Sequence, residues 1–245
     1  MAKDMNSKNN IELNDLFDYD MKIYQNKEYF KFSIDSVLLA EFVSIKKGQK
    51  RILDMCTGNA PVPLILSKRF NNIEIVGIEL QKEIYDLAYK SVKYNNKKNI
   101  LLINDDVNKL TNVYKFKKFD VITCNPPYFV PYSNKLINEN EVKAIARHEI
   151  KIDLESIIRI ASKNIKNQGY LYLVHRPERI AEIIHLLKKY NFGLKRIVPV
   201  YNDINSNSCF VLIEAIYNGK DYVIINKPIY ISEHESYQGI FGGAL

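Results

Sequence analysis

From Arg51 onward, short apolar runs of strand length alternate with longer amphipathic stretches, the rhythm of a parallel-sheet α/β fold. The runs Arg51–Cys56, Ile73–Ile78, Ile100–Ile103, Asp120–Cys124, Gly169–Val174, Leu194–Val200 and Cys209–Tyr217 are expected as strands. Between them, Val62–Phe70, Gln81–Asn95, Leu154–Ile165 and Pro177–Tyr190 carry helical spacing. Pro177 suits a first helical turn, where its missing N–H costs nothing. The last two strands are separated only by the polar loop Tyr201–Ser208, which predicts an antiparallel hairpin at one edge of the sheet. The expected fold is therefore Rossmann-like: a mostly parallel seven-stranded sheet with an antiparallel edge hairpin and helices on both faces. Residues 1–22 lack apolar periodicity and read as a flexible tail, at most with a short helix around Ile11–Phe17, ahead of a single domain over 23–245. The stretch Phe129–Ile152 is long and irregular, as functional or mobile segments of compact domains are.

Composition removes several function classes. Lys plus Arg outnumber Asp plus Glu by 35 to 28, a formal charge of +7 that suits a polyanionic partner but is also common without one. The three cysteines, at 56, 124 and 209, form no CxxC pair, and the four histidines are scattered, so neither a disulfide framework nor a metal site is expected. No uncharged apolar run approaches membrane-spanning length, and the N-terminal MAKDMNSKNN lacks the apolar stretch of a signal peptide. A cytoplasmic protein is the expectation.

The first expected strand runs into Asp54-Met55-Cys56-Thr57-Gly58-Asn59-Ala60, the strand-to-helix turn at which doubly wound folds bind nucleotides. A dinucleotide fingerprint would need glycine at 56, 58 and 61; the chain has Cys56, Gly58 and Pro61, which disfavours a loop that cradles a pyrophosphate. A phosphate-free nucleoside relaxes that demand, because Gly58 still lets backbone approach a ligand and Asp54 offers a carboxylate. Glu79, at the end of the second expected strand and about 20 residues past Gly58, can accept both hydroxyls of a ribose, or can simply start a helix at its positive end. Asp105 and Asp106, after the third strand, read either as contacts to an adenine edge or as a helix-capping pair.

The fourth expected strand runs straight into Asn125-Pro126-Pro127-Tyr128. An exocyclic amino group or an amide nitrogen is a poor nucleophile because its lone pair is delocalised. Two acceptors on its N–H hydrogens favour a pyramidal nitrogen and aim the lone pair at an electrophilic carbon. The Asn125 amide oxygen and the Pro126 carbonyl are such acceptors, and the two prolines hold φ so that both are in place before substrate arrives. Tyr128 can stack on a planar substrate, worth about 1–3 kcal/mol per base. The bland alternative is a rigid loop with Tyr128 in the core.

These residues together resemble the class I S-adenosylmethionine-dependent amino methyltransferases. Within that class, Phe32-Ser33-Ile34-Asp35-Ser36-Val37-Leu38-Leu39-Ala40 is similar to the segment that opens the tRNA(Val) adenine-N6 methyltransferase family. Ala146-Arg147-His148-Glu149 and Val174-His175-Arg176-Pro177-Glu178-Arg179 are similar to further segments of it, so the likeness runs from about residue 24 to the C-terminal end. The resemblance implies S-adenosylmethionine as cofactor and tRNA as partner. It also implies that Asp54, Cys56, Thr57, Gly58, Asn59 and Ala60 wrap the methionine part of the cofactor and that Glu79, with Leu80, binds its ribose. Asp105, Asp106 and Val107 would meet the adenine, with Asp106 holding its amino group. Phe32 and Asp35 would close over the methionine end, and Asn125 to Tyr128 would grip the target base. Cys56 and Ala60 stand where many relatives have glycine.

For RNA, Phe129, Tyr132 and Lys135 interleave aromatics with charge beside the motif, which suits base stacking and phosphate contact, or packing of the loop. Arg147 and His148 read from the residues as a surface ion-pair cluster with Glu149, and from the resemblance as an RNA-facing rim. His175 and Arg176 suit either phosphate contact or solvation of a helix start. The implied reaction is methylation of the N6 amine of the adenosine immediately 3′ of the anticodon in a valine tRNA. The rivals are N-methylation of a glutamine on a protein such as a release factor, and a catalytically silent RNA-binding module of the same fold. The first is disfavoured because its relatives carry a helical domain ahead of the catalytic one, for which 50 residues leave little room. Nothing in the sequence sets the oligomeric state.

Overall fold

The computed structural model describes residues 10–16, 19–27, 34–110, 117–127 and 153–233. A hairpin of β1 (Ile11–Asp15) and β2 (Lys22–Asn26) precedes a first helix, α1 (Ile34–Phe42). One half of a doubly wound sheet follows as β3 (Arg51–Met55), α2 (Pro61–Arg69), β4 (Glu74–Glu79), α3 (Lys82–Tyr94) and β5 (Ile100–Asn104). The other half contains β6 (Phe119–Cys124), α4 (Leu154–Asn164), β7 (Ile165–His175), α5 (Ile180–Lys189), β8 (Phe192–Tyr201) and β9 (Ser208–Tyr217). Two short strands, β10 (Ile224–Ile225) and β11 (Ile229–Tyr230), pair parallel with β8 and extend the expected seven strands. The order across the sheet is β10-β8-β9-β7-β6-β3-β4-β5, with β11 also on β8. Strands β3 to β7 pair in parallel, and β9 is antiparallel to both β7 and β8, which is the expected edge hairpin.

Burial on both faces explains why the strands read as near-continuous apolar runs. Every residue of β6 is buried. Alternate residues feed opposite layers: Ile52, Ile75 and Val121 pack under α1, α2 and α3, while Leu53, Val76 and Ile122 pack against α4 and α5. Because β3 and β6 are neighbours whose connections lead to opposite halves, a crevice opens between them at their carboxyl ends, where open α/β sheets bind ligands.

The expectation of a loose tail with a short helix around Ile11–Phe17 is corrected for the described part: Ile11–Asp15 is a strand, in register with β2 from Ile11 opposite Asn26 to Asp15 opposite Lys22. The hairpin lies on α3, which supplies hydrogen-bond partners to the backbone of β2. Tyr24 N–H donates to Ser91 Oγ (2.9 Å), Lys22 N–H donates to Asn95 Oδ1 (3.0 Å), and Asn95 Nδ2 donates to the Lys22 carbonyl (2.6 Å). Leu16 and Ile23 are fully buried beneath it. Helix α1, also absent from the residue-pattern reading, is apolar almost all round because it is enclosed between α2 and the sheet, with Val37 to Ala40 buried.

Candidate active site

At the end of β3, Asp54 is only 2% exposed. Its Oδ1 accepts from Thr123 Oγ1 and its Oδ2 from Thr57 Oγ1, both at 2.6 Å. Burial pushes its carboxyl up to about 7 against the pull of the two hydroxyls, and the nearby Glu79 charge adds to the rise. The chain then turns sharply, with Cys56, Gly58 and Ala60 all in the left-handed region (φ 58°, 56° and 70°). Glycine is the residue that adopts this conformation without steric cost, so Cys56 and Ala60 each carry about 1–2 kcal/mol of backbone strain in the loop. Thr57 N–H is tied to the Ile78 carbonyl at 2.9 Å. A Cβ on Gly77 would lie 2.9 Å from Thr57 Oγ1 and 2.8 Å from Leu102 Cδ2, so that glycine is what lets the loop rest on β4.

Glu79, at the end of β4, is likewise buried. Its Oε2 accepts from Gly58 N–H and its Oε1 from Gln81 N–H, both at 2.9 Å, yet burial still raises its carboxyl above the usual range. Neither Asp54 nor Glu79 has a cationic partner among the described residues. Two desolvated carboxylates on adjacent strands, with turn backbone between them, make a receptor for a ligand that brings hydroxyl donors and positive charge. By contrast, Asp120 at the opposite end of the sheet is bonded by Lys166 Nζ (2.6 Å) and by Lys50 and Arg51 N–H. Burial would raise its carboxyl, but those donors outweigh it and hold it below the usual range.

The other expected cofactor residues divide. Asn59 Nδ2 donates to the Tyr24 carbonyl (2.8 Å), which fastens the loop to the hairpin. Asp105 Oδ1 accepts from Lys109 Nζ and from Asp106 N–H, both at 2.7 Å. Asp106 Oδ1 caps the 3-10 turn Val107–Lys109 through Asn108 N–H at 2.9 Å, so the capping reading of this residue is realised. Val107 is buried, and the half-buried Leu80 accepts from Asn104 Nδ2 through its carbonyl. Asp35, buried in the first turn of α1, accepts from Ser36 N–H at 2.7 Å. Asn125 stands just past β6 beside this cluster, with its Nδ2 donating to Ser36 Oγ (2.9 Å), followed by buried Pro126 and half-buried Pro127.

Beyond the prolines lies a cavity of about 140 Å³, lined by Pro126, Pro127, Asp153, Leu154, Ile157, His175 and Arg179. Burial, with the Arg179 charge nearby, pushes His175 down to about 4, so its ring is neutral at physiological pH. Its Nδ1 accepts from Arg176 N–H (2.8 Å), which leaves the proton on Nε2. Arg176 itself packs over the Phe210 ring, 5.1 Å from its centroid, and donates to the Cys209 carbonyl at 3.2 Å. The described fold thus gathers Asp54, Glu79 and Asn125 at one crevice, with His175 at the adjoining cavity. Phe32, Tyr128, Phe129, Tyr132, Lys135, Arg147 and His148 lie outside the described residues. Thr123, Ser36, Gly77, Asp153 and Arg179 were not foreseen; a threonine inside the all-apolar run of β6 was the one visible signal.

A sheet of this order, with paired carboxylates at the ends of β3 and β4 and Asn-Pro-Pro after β6, defines a class I methyltransferase. A family model described as a methyltransferase domain matches residues 46–225. The chain belongs to that family and is a methyltransferase. It is 23% identical over 214 residues to a tRNA1(Val) (adenine(37)-N6)-methyltransferase of Pedobacter heparinus, covering 84% of this chain and 88% of that protein. It is 27% identical over 155 residues to a release factor glutamine methyltransferase of Flavobacterium psychrophilum, covering 58% of this chain and 51% of that protein. Among solved structures, a predicted O-methyltransferase from Agrobacterium tumefaciens superposes with a TM-score of 0.63 at 22% identity, covering 80% of this chain and 87% of that one.

Proposed function

We propose that the protein methylates the exocyclic N6 amine of an adenosine in tRNA, at position 37 beside the anticodon of a valine tRNA as in the Pedobacter heparinus relative's name. The observation that carries this reading is the Asn125 amide held at the carboxyl end of β6, next to the buried carboxylates of β3 and β4. S-adenosylmethionine is the methyl donor and supplies, when bound, a methyl group on a positively charged sulfur. It fits the donor set, because its ribose diol suits Glu79 and its charged methionine end suits Asp54. Asp106 takes the adenine amino group, Val107 and Leu80 pack on the ring, and Asp35 with Phe32 closes the methionine end.

Asn125 Oδ1 and the Pro126 carbonyl accept the two N6–H hydrogens and turn the nitrogen lone pair toward the methyl carbon. That pair becomes the N–CH₃ bond as the C–S pair returns to sulfur, and the surplus proton on nitrogen leaves to solvent. Pro126 and Pro127 hold the acceptors in place beforehand, so little ordering is needed at reaction. His175, neutral and protonated on Nε2, offers a donor at the adjoining cavity, and Tyr128 stacks on the base. Phe129, Tyr132, Lys135, Arg147, His148 and Arg176 are the proposed RNA contacts. A base inside folded tRNA must leave its stack to reach the motif, which is cheap in a loop. A tRNA substrate implies action in the cytoplasm. Among the described residues, no helix is long and apolar enough to cross a membrane.

Glutamine methylation would use the same acceptors on an amide nitrogen, and the release factor relative favours it over part of the chain. The tRNA-modifying relative aligns over far more of both chains, which supports the RNA reading. Purified protein, radiolabelled S-adenosylmethionine and bulk tRNA from cells lacking the gene test the two. The expected product is N6-methyladenosine on nucleoside analysis. Label in a release factor instead of RNA would replace this reading, and cofactor binding with no label in either would leave a silent module.

A further inference from the structure

We infer that Ser36 is a positioning residue that sets which end of the Asn125 amide faces the substrate; the inference rests on the proposed acceptor role of Asn125. An Asn side chain rotates easily about its last bond, and its two ends are nearly the same size but opposite in hydrogen-bonding sense. With oxygen toward an amino group it accepts; turned over, it would set N–H against N–H. Ser36 Oγ accepts from Asn125 Nδ2 at 2.9 Å, so the nitrogen end is held toward α1 and the oxygen end faces away from it.

The hydroxyl can do this because it is immobile. Ser36 is 6% exposed, in a helix whose next four residues are buried. Its own N–H is held by Asp35 Oδ1 at 2.7 Å. The far end of α1 is fixed by Arg69, whose Nη1 donates to the Ala40 carbonyl and, at 3.2 Å, to the Val43 carbonyl. Helix α1 thus carries a fixed acceptor from one layer of the fold to the one side chain of the motif that has two interchangeable ends.

Ser36→Ala should lower kcat about fivefold to tenfold, the value of one neutral hydrogen bond, while KM for S-adenosylmethionine and for tRNA stays within about twofold. Ser36→Thr, which keeps the hydroxyl, should recover most of the loss. Independently of turnover, the Asn125 side-chain amide signal, identified by its disappearance in Asn125→Asp, should exchange with solvent faster in Ser36→Ala. A Ser36→Ala kcat within twofold of wild type, or unchanged exchange at Asn125, would overturn the inference. So would equal losses in the Ala and Thr variants together with a lower melting temperature, which would mean packing. If wild-type protein methylates no tRNA but the Asn125 signal responds, the functional reading fails and the Ser36 hold stands.

Discussion

Asp54 and Glu79 sit in the fold at a cost to it. The folded chain binds the Asp54 proton more tightly than the unfolded chain does, since burial pushes the carboxyl up to about 7. Its destabilising effect is therefore absent below the ordinary carboxylate range, grows as pH rises toward 7, and is constant above. Asp54→Asn should raise the melting temperature of the unliganded protein at pH 8 and leave it unchanged at pH 4, by differential scanning calorimetry. In wild type, S-adenosylmethionine affinity should strengthen as pH rises through about 7 and then level off; in the Asn variant, calorimetric titration should find it weak and flat. Asn125→Ala should leave cofactor affinity within about twofold yet lower single-turnover methylation by at least 100-fold, because it removes an interaction made in the transition state. Comparable turnover would remove Asn125 from the acceptor role. The motif was legible at this scale because an amide followed by two prolines has so few other uses. Ser36 was not, since its partner lies 89 residues away and no local pattern links a helix serine to a loop amide.

Among the elements, the strands and helices after Arg51 were legible because a buried parallel strand must be apolar on both faces, as the wholly buried β6 shows. The hairpin β1–β2 was not. Its alternation is only five residues long per strand and mixes Asn, Gln and Lys into the pattern, so its stability comes from Ser91 and Asn95 of α3. Asn95→Ala should lower hydrogen-exchange protection of Lys22–Asn26 while leaving β3, β4 and β6 protected, because it removes two bonds to the β2 backbone. Equal loss across the whole sheet would contradict that local role. At the other face of the loop, Gly77→Ala should weaken cofactor binding about tenfold by pushing Thr57 away from Asp54, with the sheet retained by circular dichroism. Unchanged affinity would mean that the loop tolerates the shift.

For the whole molecule, the formal charge of +7 predicts a tRNA affinity that falls steeply and log-linearly with salt as phosphate contacts release counterions. A flat salt profile in a filter-binding assay would count against an RNA partner. The alternation of apolar runs, the Asn-Pro-Pro-Tyr motif and the spacing of Gly58 from Glu79 are local regularities, and local regularities carried the α/β class, the reaction chemistry and the nucleoside crevice. The capping role of Asp106, the tether from Asn59 to the hairpin, the neutral state of His175 and the Ser36 hold on Asn125 are different in kind. Each depends on a partner or a desolvated surrounding supplied by packing, and Asp106 shows that even a neighbour two residues away is chosen only once the backbone has turned. Chemistry resides in residue types and can be read from them; orientation, charge state and partnership arise from neighbours that the chain acquires only on folding.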